Sequence, residues 1–293
     1  MSERKFLKMH GLGNDFVIID GRENPFKATA DQTRFLADRR LGVGCDQVIV
    51  LERSEKANIF MRIFNSDGSQ AEACGNATRC VAAILHFEKT GPYSTDNAFA
   101  AALNKAGFKP DSNLPSASPP LLHIETVAGV LDIQRTNQGE YCVNMGTPIV
   151  EDLQRHVDHA PGLAVILDIG NPHCVFVDVD LESVDIETVG PIVENDHQFP
   201  NRTNVHFVRI ESSNSIRQHV WERGAGRTRA SGSGACAGAI AAVRLGKAKF
   251  PVKVQMDGGP LEINEAPNGS ITMQGPHSIS FTGSFDEKKI LGL

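Results

Sequence analysis

The strongest constraint on this 293-residue chain is that it repeats itself at one fixed offset. Asn14 in "GLGND" and Asn171 in "DIGNP" lie 157 residues apart. The same 157 separates Gln47 in "GCDQVIV" from Asn204 in "NRTNVHF", and Asn65 in "RIFNSDG" from Glu222 in "HVWERGA". "ACGNATRC" and "ASGSGAC" repeat it once more, pairing Cys74 with Ser231. Apolar neighbours match as well, Phe64 with Trp221 and Val48 with Val205. Four polar landmarks in one gapless register indicate a duplicated domain whose halves present equivalent loops. The length agrees, since it exceeds that of a usual single domain. The repeat sets the expected limits at 1–146 for the first half and 147–275 for the second.

Within each half, short runs rich in Val, Ile and Phe, bounded by Gly, Asp, Asn or Pro, read as strands. They are Phe16–Asp20, Gln47–Leu51, Asn58–Phe64, Leu122–Thr126, Leu131–Arg135 and Tyr141–Met145, then Cys174–Val179, Asn204–Ile210, Ile216–Trp221, Val252–Met256 and Ser270–Met273. Two helices interrupt them. One starts near Asn76, with Ala77, Cys80, Val81, Ile84 and Leu85 on one face. The other starts near Ser233 and reads "SGACAGAIAAVRLGK", small and apolar nearly all round, as in a helix enclosed on every side. Thr90–Pro120 breaks the repeat and ends in a Ser/Pro-rich run, so it reads as an inserted loop with room for one short helix.

The net charge of −6 gives no basic face for nucleic acid. No apolar run is long enough to cross a bilayer, and the first residues lack the apolar stretch of a secretion signal, so a cytoplasmic location without membrane attachment is expected. The six cysteines contain no CxxC pair, which argues against a zinc ribbon or a disulfide scaffold; no metal is expected.

Chemistry concentrates at the two helix starts. Cys74 precedes the first helix, and Gly75 and Asn76 carry N–H groups without intrahelical partners. The positive end of a helix favours thiolate over thiol, and the same N–H groups bind carboxylates. A thiolate beside a captured carboxylate suits removal of the proton alpha to it. Without pyridoxal phosphate the resulting enediolate must be stabilised electrostatically, which two helix N-termini aimed at one carboxylate can do. Acid/base groups on opposite faces then permit inversion. No lysine lies in a recognisable pyridoxal context and no dinucleotide fingerprint follows a strand, so no cofactor is expected.

Taken in order, "KMHGLGNDF", "GVGCDQ", "FNSDGSQAEACGN", "GNPHCV", "FPNRTN", "WERGAG" and "GSGAC" resemble the diaminopimelate epimerase family over nearly the whole chain, the insertion excepted. The resemblance implies an α+β fold of two pseudo-symmetric domains. Each is a mixed sheet curled around a central helix, with the active site in the interdomain cleft and the tail 276–293 packed back on the first domain. It also implies a homodimer that interconverts LL- and meso-2,6-diaminopimelate, for lysine and peptidoglycan synthesis. By motif, Cys74 is one catalytic acid/base, and Gly75, Asn76, Gly232 and Ser233 hold the reacting carboxylate. Glu222 and the backbone around Arg223 take the reacting ammonium. Asn65, Asn171, Asn204 and the Arg223 guanidinium grip the distal end of the substrate, while Asn14 and Gln47 line the same site. His173 and Glu222 stand where the family tunes the catalytic pair.

One departure matters. The family reads Ala-Cys-Gly-Ser-Gly-Ala-Cys at the second helix, and this chain has Ser231 at the first of those cysteines, with Cys236 at the second. A serine hydroxyl is a far weaker acid than a thiol, so turnover is expected to be impaired. Three readings stay open: a substitution introduced into an epimerase, a natural Cys/Ser pair working slowly or on a related substrate (as in related racemases and dehydratases), and an amino-acid-binding homologue without catalysis. Arg227 stands where Glu is common, and Phe281 replaces an aromatic hydroxyl near the family's dimer contact.

Overall fold

The computed structural model describes residues 3–91, 97–111 and 121–287. It divides into two compact units, Met1–Val143 with Pro276–Leu293, and Asn144–Gly275. In chain order the first half supplies β1 (Glu3–Gly11), β2 (Asn14–Asp20), α1 (Ala30–Ala37), β3 (Gln47–Glu52), β4 (Ile59–Asn65), β5 (Gln70–Ala71), α2 (Gly75–Thr90), α3 (Asn97–Ala106), β6 (Leu122–Thr126), β7 (Gly129–Arg135) and β8 (Tyr141–Gly146). The second supplies β9 (Ile149–His156), β10 (Leu163–Asp168), β11 (Pro172–Val177), α4 (Ile186–Glu194), β12 (Asn204–Ser212), β13 (Ser215–Glu222), β14 (Gly226–Thr228), α5 (Gly232–Arg244), β15 (Val252–Met256), β16 (Gly259–Glu265) and β17 (Ile271–Gly275). A last strand, β18 (Ser278–Asp286), belongs to the first unit. The class is α+β.

The two sheets have one topology. In the first unit the order is β18-β1-β2-β3-β4-β6-β7-β8, with β5 also on β4. In the second it is β9-β10-β11-β12-β13-β15-β16-β17, with β14 also on β13. Parallel pairs fall at matching places, β2 with β3 and β4 with β6, then β11 with β12 and β13 with β15. Registers match residue for residue. Phe16 lies opposite Gln47 as His173 lies opposite Asn204, and Val48 opposite Phe64 as Val205 lies opposite Trp221. Beyond the central helices Ile59 faces Ile124 and Ile216 faces Val254, so the offset drops there from 157 to 130. The difference of 27 residues is the insertion. It carries α3; the Ser/Pro-rich stretch 112–120 lies outside the described residues.

The central helices are the cores of the two units. α5 touches β10, β11, β12, β13, β15, β16 and β17, a sheet wrapped around one helix. Its runs of Ala and Gly let strands approach from all sides, as the uniformly small sequence suggests. α2 differs from its sequence reading. One apolar face was expected, but every residue from Asn76 to Phe87 is buried. The polar members are accommodated by hydrogen bonds. Thr78 Oγ1 donates to the Cys74 carbonyl at 2.9 Å, and the fully buried Arg79 donates to Asn76 and to the Pro276 carbonyl. Among the described residues no helix is long and apolar enough to cross a membrane.

Candidate active site

Cys74 is the N-cap of α2, with extended backbone (φ −152°, ψ 107°) and no side-chain capping bond. The first N–H groups of α2 are thus left to other partners, the usual setting for an anion. Cys74 Sγ donates to Asn14 Oδ1 at 3.8 Å, and Asn76 Nδ2 donates to the same oxygen at 3.2 Å. The tight β1–β2 turn brings Asn14 there. Gly11 pairs directly with Asn14, and the two residues between them, Leu12 and Gly13, both have positive φ (59° and 87°), the twist that a two-residue hairpin requires.

The rest of this cluster is locked by charge. Asn14 Nδ2 donates to Asp46 Oδ2 at 2.9 Å. A carboxylate only accepts, so Asp46 fixes Asn14 with its oxygen toward Cys74. Arg39 binds Asp46 at 2.8 Å and Asp15 at 2.7 Å, and Lys8 binds Asp15 at 2.6 Å. Burial pushes the Asp15 carboxyl up, but Arg39 and Lys8 outweigh it and hold its pKa at about 2. Arg79 Nη2 donates to Asn76 Oδ1 at 2.8 Å and so turns the Asn76 amide nitrogen toward Asn14. Beside this cluster Gln47 Nε2 donates to Asn65 Oδ1 at 3.0 Å across β3 and β4. Asn14, Gln47 and Asn65 stand at one end of three adjacent strands.

The second unit repeats the layout with different chemistry. Ser231 is the N-cap of α5 and is buried, and its Oγ accepts from Gly234 N–H at 3.2 Å. Its hydroxyl therefore serves the helix, as a good N-cap does, whereas Cys74 does not. Asn171, in the three-residue turn between β10 and β11, donates through Nδ2 to Ser233 Oγ at 3.4 Å. His173 Nε2 lies 2.8 Å from Asn171 Oδ1, and His173 Nδ1 lies 2.8 Å from His206 Nε2. Burial, then the neighbouring His206 and Arg223, holds the His173 pKa well below its usual value. Asn204 Oδ1 accepts from Arg223 N–H at 3.0 Å, and its amide nitrogen donates to the Pro172 carbonyl at 2.9 Å. Arg223 Nη1 donates to the Asn201 carbonyl at 3.2 Å. Glu222 closes β13 opposite Gly226.

The expected residues thus gather into two equivalent clusters, one in each unit: Asn14, Gln47, Asn65, Cys74, Gly75 and Asn76, and then Asn171, His173, Asn204, Glu222, Arg223, Ser231, Gly232 and Ser233. Sequence reasoning missed Asp46, Arg79, His206 and Gln218, all of which hold members of these clusters. A charge inside an apolar helix (Arg79) and a polar residue at an inward position of a strand (His206, Gln218) were the available signals. Among the described residues no three His, Cys, Asp or Glu side chains are grouped to hold a metal ion.

Known proteins resemble this chain in sequence and in fold. The family model for diaminopimelate epimerase matches residues 6–150 and 165–280. A diaminopimelate epimerase from Rhodospirillum centenum is 39% identical, with 99% of this chain and 94% of that protein covered. One from Rhizorhabdus wittichii is 41% identical, covering 96% and 95%. Among solved structures, a Bacillus anthracis phenazine biosynthesis protein of the PhzF family superposes with a TM-score of 0.68 at 16% identity, over 98% of this chain and 100% of that one. A probable proline racemase from Agrobacterium radiobacter K84 gives 0.66 at 16%, over 97% and 93%. At such identity these two share the fold alone. The sequence relatives go further, and with matches spanning both halves this chain belongs to the diaminopimelate epimerase family.

Proposed function

We propose that the protein is an isomerase that interconverts LL- and meso-2,6-diaminopimelate by proton transfer at one alpha carbon, without pyridoxal phosphate, and that Ser231 slows it. The observation that carries this reading is the pair of equivalent helix starts, with Cys74 capping α2 and Ser231 capping α5. One group takes the alpha proton, the C–H electron pair passes into the carboxylate as an enediolate, and the other group returns a proton to the opposite face. N–H groups of Gly75, Asn76, Gly232 and Ser233 would carry the enediolate charge. Glu222 and the Arg223 backbone would take the reacting ammonium. Asn65, Asn171, Asn204 and the Arg223 guanidinium would take the distal end, with Gln47 and Asn14 beside them. His173 and Glu222 would adjust the acid/base pair. Cys74 is a competent acid/base. Ser231 is a poor one, because its Oγ is buried, binds Gly234 N–H and belongs to a hydroxyl of high intrinsic pKa.

The test is exchange of the substrate's alpha proton in deuterated water, compared between the protein and its Ser231→Cys variant. A positioned acid/base group contributes about 10²–10⁴-fold, so the variant should exchange and epimerise diaminopimelate at least about a hundredfold faster. Failure of both processes in Ser231→Cys refutes the assignment. Tight binding without exchange in either form would favour the binding-only reading, and exchange confined to other amino acids would favour a related racemase or dehydratase. The same reading includes a cytoplasmic homodimer, for which the exposed Phe281 on β18 offers an apolar edge; light scattering measures its mass.

A further inference from the structure

A line of buried polar side chains in the second unit starts at a backbone carbonyl and ends at the first turn of α5. Gln218 on β13, His206 on β12 and His173 on β11 are each fully buried. Gln218 Nε2 donates to the Gly234 carbonyl at 2.8 Å. A carbonyl oxygen only accepts, so this bond fixes which end of the Gln218 amide faces His206. The same nitrogen lies 3.2 Å from His206 Nδ1, which must accept. A neutral imidazole has one N–H. His206 therefore carries its proton on Nε2 and donates to His173 Nδ1 at 2.8 Å. His173 in turn carries its proton on Nε2 and donates to Asn171 Oδ1 at 2.8 Å. One direction is left for the Asn171 amide, nitrogen toward Ser233. Burial keeps both rings neutral: it drives His206 to about 3 and His173 well below its usual value, the latter also through His206 and Arg223.

The first unit sets its asparagine the other way. Asp46 takes the Asn14 nitrogen and leaves Asn14 Oδ1 toward Cys74 and Asn76. In the repeat, Asp46 corresponds to Thr203 and His173 to Phe16, so neither half contains the other's anchor.

We infer that Gln218 and His206 are positioning residues, whose one-way hydrogen-bond chain fixes the His173 tautomer and presents the Asn171 NH2 group as a donor to a substrate carboxylate. The inference rests on the role proposed above for Asn171 at the distal end of the substrate. A carboxylate only accepts, so an outward NH2 binds it and an outward amide oxygen repels it.

Gln218→Glu tests the direction of the chain. A carboxyl group buried at 218 keeps one hydrogen, which the Gly234 carbonyl takes, and turns an acceptor oxygen to His206, so His206 would move its proton to Nδ1, His173 would do the same, and Asn171 would turn its oxygen outward. Nitrogen NMR of histidine-labelled Ser231→Cys protein reads both tautomers without substrate. The expected result is Nε2–H on His173 and His206 in the parent and Nδ1–H on both in Gln218→Glu. In the exchange assay the KM for diaminopimelate should rise about tenfold, the size of one lost charge-assisted hydrogen bond, with a much smaller change in kcat. Should that variant not fold, Gln218→Met keeps the volume, removes the donor, and should leave His173 a mixture of tautomers with an intermediate KM. An Nδ1–H His173 in the parent overturns the inference, as does a reversed or mixed tautomer with unchanged KM. Correct tautomers in a protein that never exchanges diaminopimelate protons would uphold the relay and overturn the substrate assignment instead.

Discussion

Asn14 and Asn171 occupy one position of a duplicated fold and yet are held end for end, because a carboxylate anchors the first and a neutral imidazole the second. What decides the chemistry at each helix start is therefore a residue behind the one that faces it. Asp46 is the clearest case. It binds Asn14, is ion-paired with Arg39, and accepts from the Asp15 N–H at 3.1 Å. Asp46→Asn preserves shape but can offer either end of an amide, so Asn14 loses its fixed orientation beside Cys74. A hydrogen bond to a charged group contributes about 1.5–3 kcal/mol, so alpha-proton exchange in the Ser231→Cys background should fall by roughly tenfold to a hundredfold. Unchanged exchange would show that the Asn14 orientation is irrelevant to Cys74. Cys74, Ser231 and the asparagines were legible in the sequence because the repeat marks them twice. Asp46, His206 and Gln218 were not, because the two halves differ there and a repeat cannot flag what it does not repeat.

At the level of elements, the strands legible in the sequence are those with a continuous apolar run, such as β2 and β3, or with apolar residues at every second position, such as β4 and β6. Val48, Ile49, Val50 and Leu51 of β3 are all inaccessible to solvent, and so are Phe16 to Ile19 of β2. β1 has no strand pattern in its sequence, because Glu3, Arg4, Lys5 and Lys8 crowd its few apolar residues. Lys8 and Arg4 are nonetheless buried, Lys8 on Asp15 and the Gly44 carbonyl, Arg4 on Glu287 and the Asn24 carbonyl. β9 and β18 were missed for the opposite reason, since both expose much of their length and lack an apolar signature. α1 rests on a capping box between Thr29 and Gln32, too short a signal to stand out beside strands. In α5 the glycines have a packing reason. A methyl group at Gly238 would lie 2.0 Å from Gln218 Oε1 and 3.3 Å from Val208 Cγ2, and one at Gly234 would lie 2.5 Å from His206 Cε1. Gly→Ala in a helix interior normally stabilises by about 1 kcal/mol. Here overpacking should reverse the sign, and Gly238→Ala should destabilise by about 1–3 kcal/mol. Thermal or chemical unfolding measures it, and a stabilised Gly238→Ala would mean that Gln218 is free to move.

Over the whole molecule, duplication explains why the fold was more legible than its stability. Shared registers on both sides of the 27-residue insertion make each half a guide to the other, but the groups that set the response to acid are not duplicated. His173 and His206 lie in the second unit, while His86 and His277 lie in the first, where burial and then the nearby arginines push both to about 4. Each of these histidines is held neutral when folded, with a pKa below the value of about 6.5 it has when unfolded. Between those values the unfolded chain binds more protons, so this stability is complete above about pH 6.5 and is lost as pH falls toward 4 and below. At pH 5 His206, with its folded value of about 3, should forfeit about 2 kcal/mol relative to neutral pH, and the other three lose stability in the same direction. Asp15 acts in a separate window, because its lowered pKa protects the fold above its ordinary value of 3.8 and is lost only as pH falls toward about 2. Denaturant unfolding followed by circular dichroism should therefore show a marked fall in midpoint between pH 7 and 5, before Asp15 titrates. His277 stands edge-on to Tyr141, with ring centres 5.1 Å apart, and Phe can take the same place. His277→Phe should remove one proton from the slope between pH 6.5 and 4 and flatten it, whereas an unchanged slope would mean that His277 is not held neutral in the folded protein.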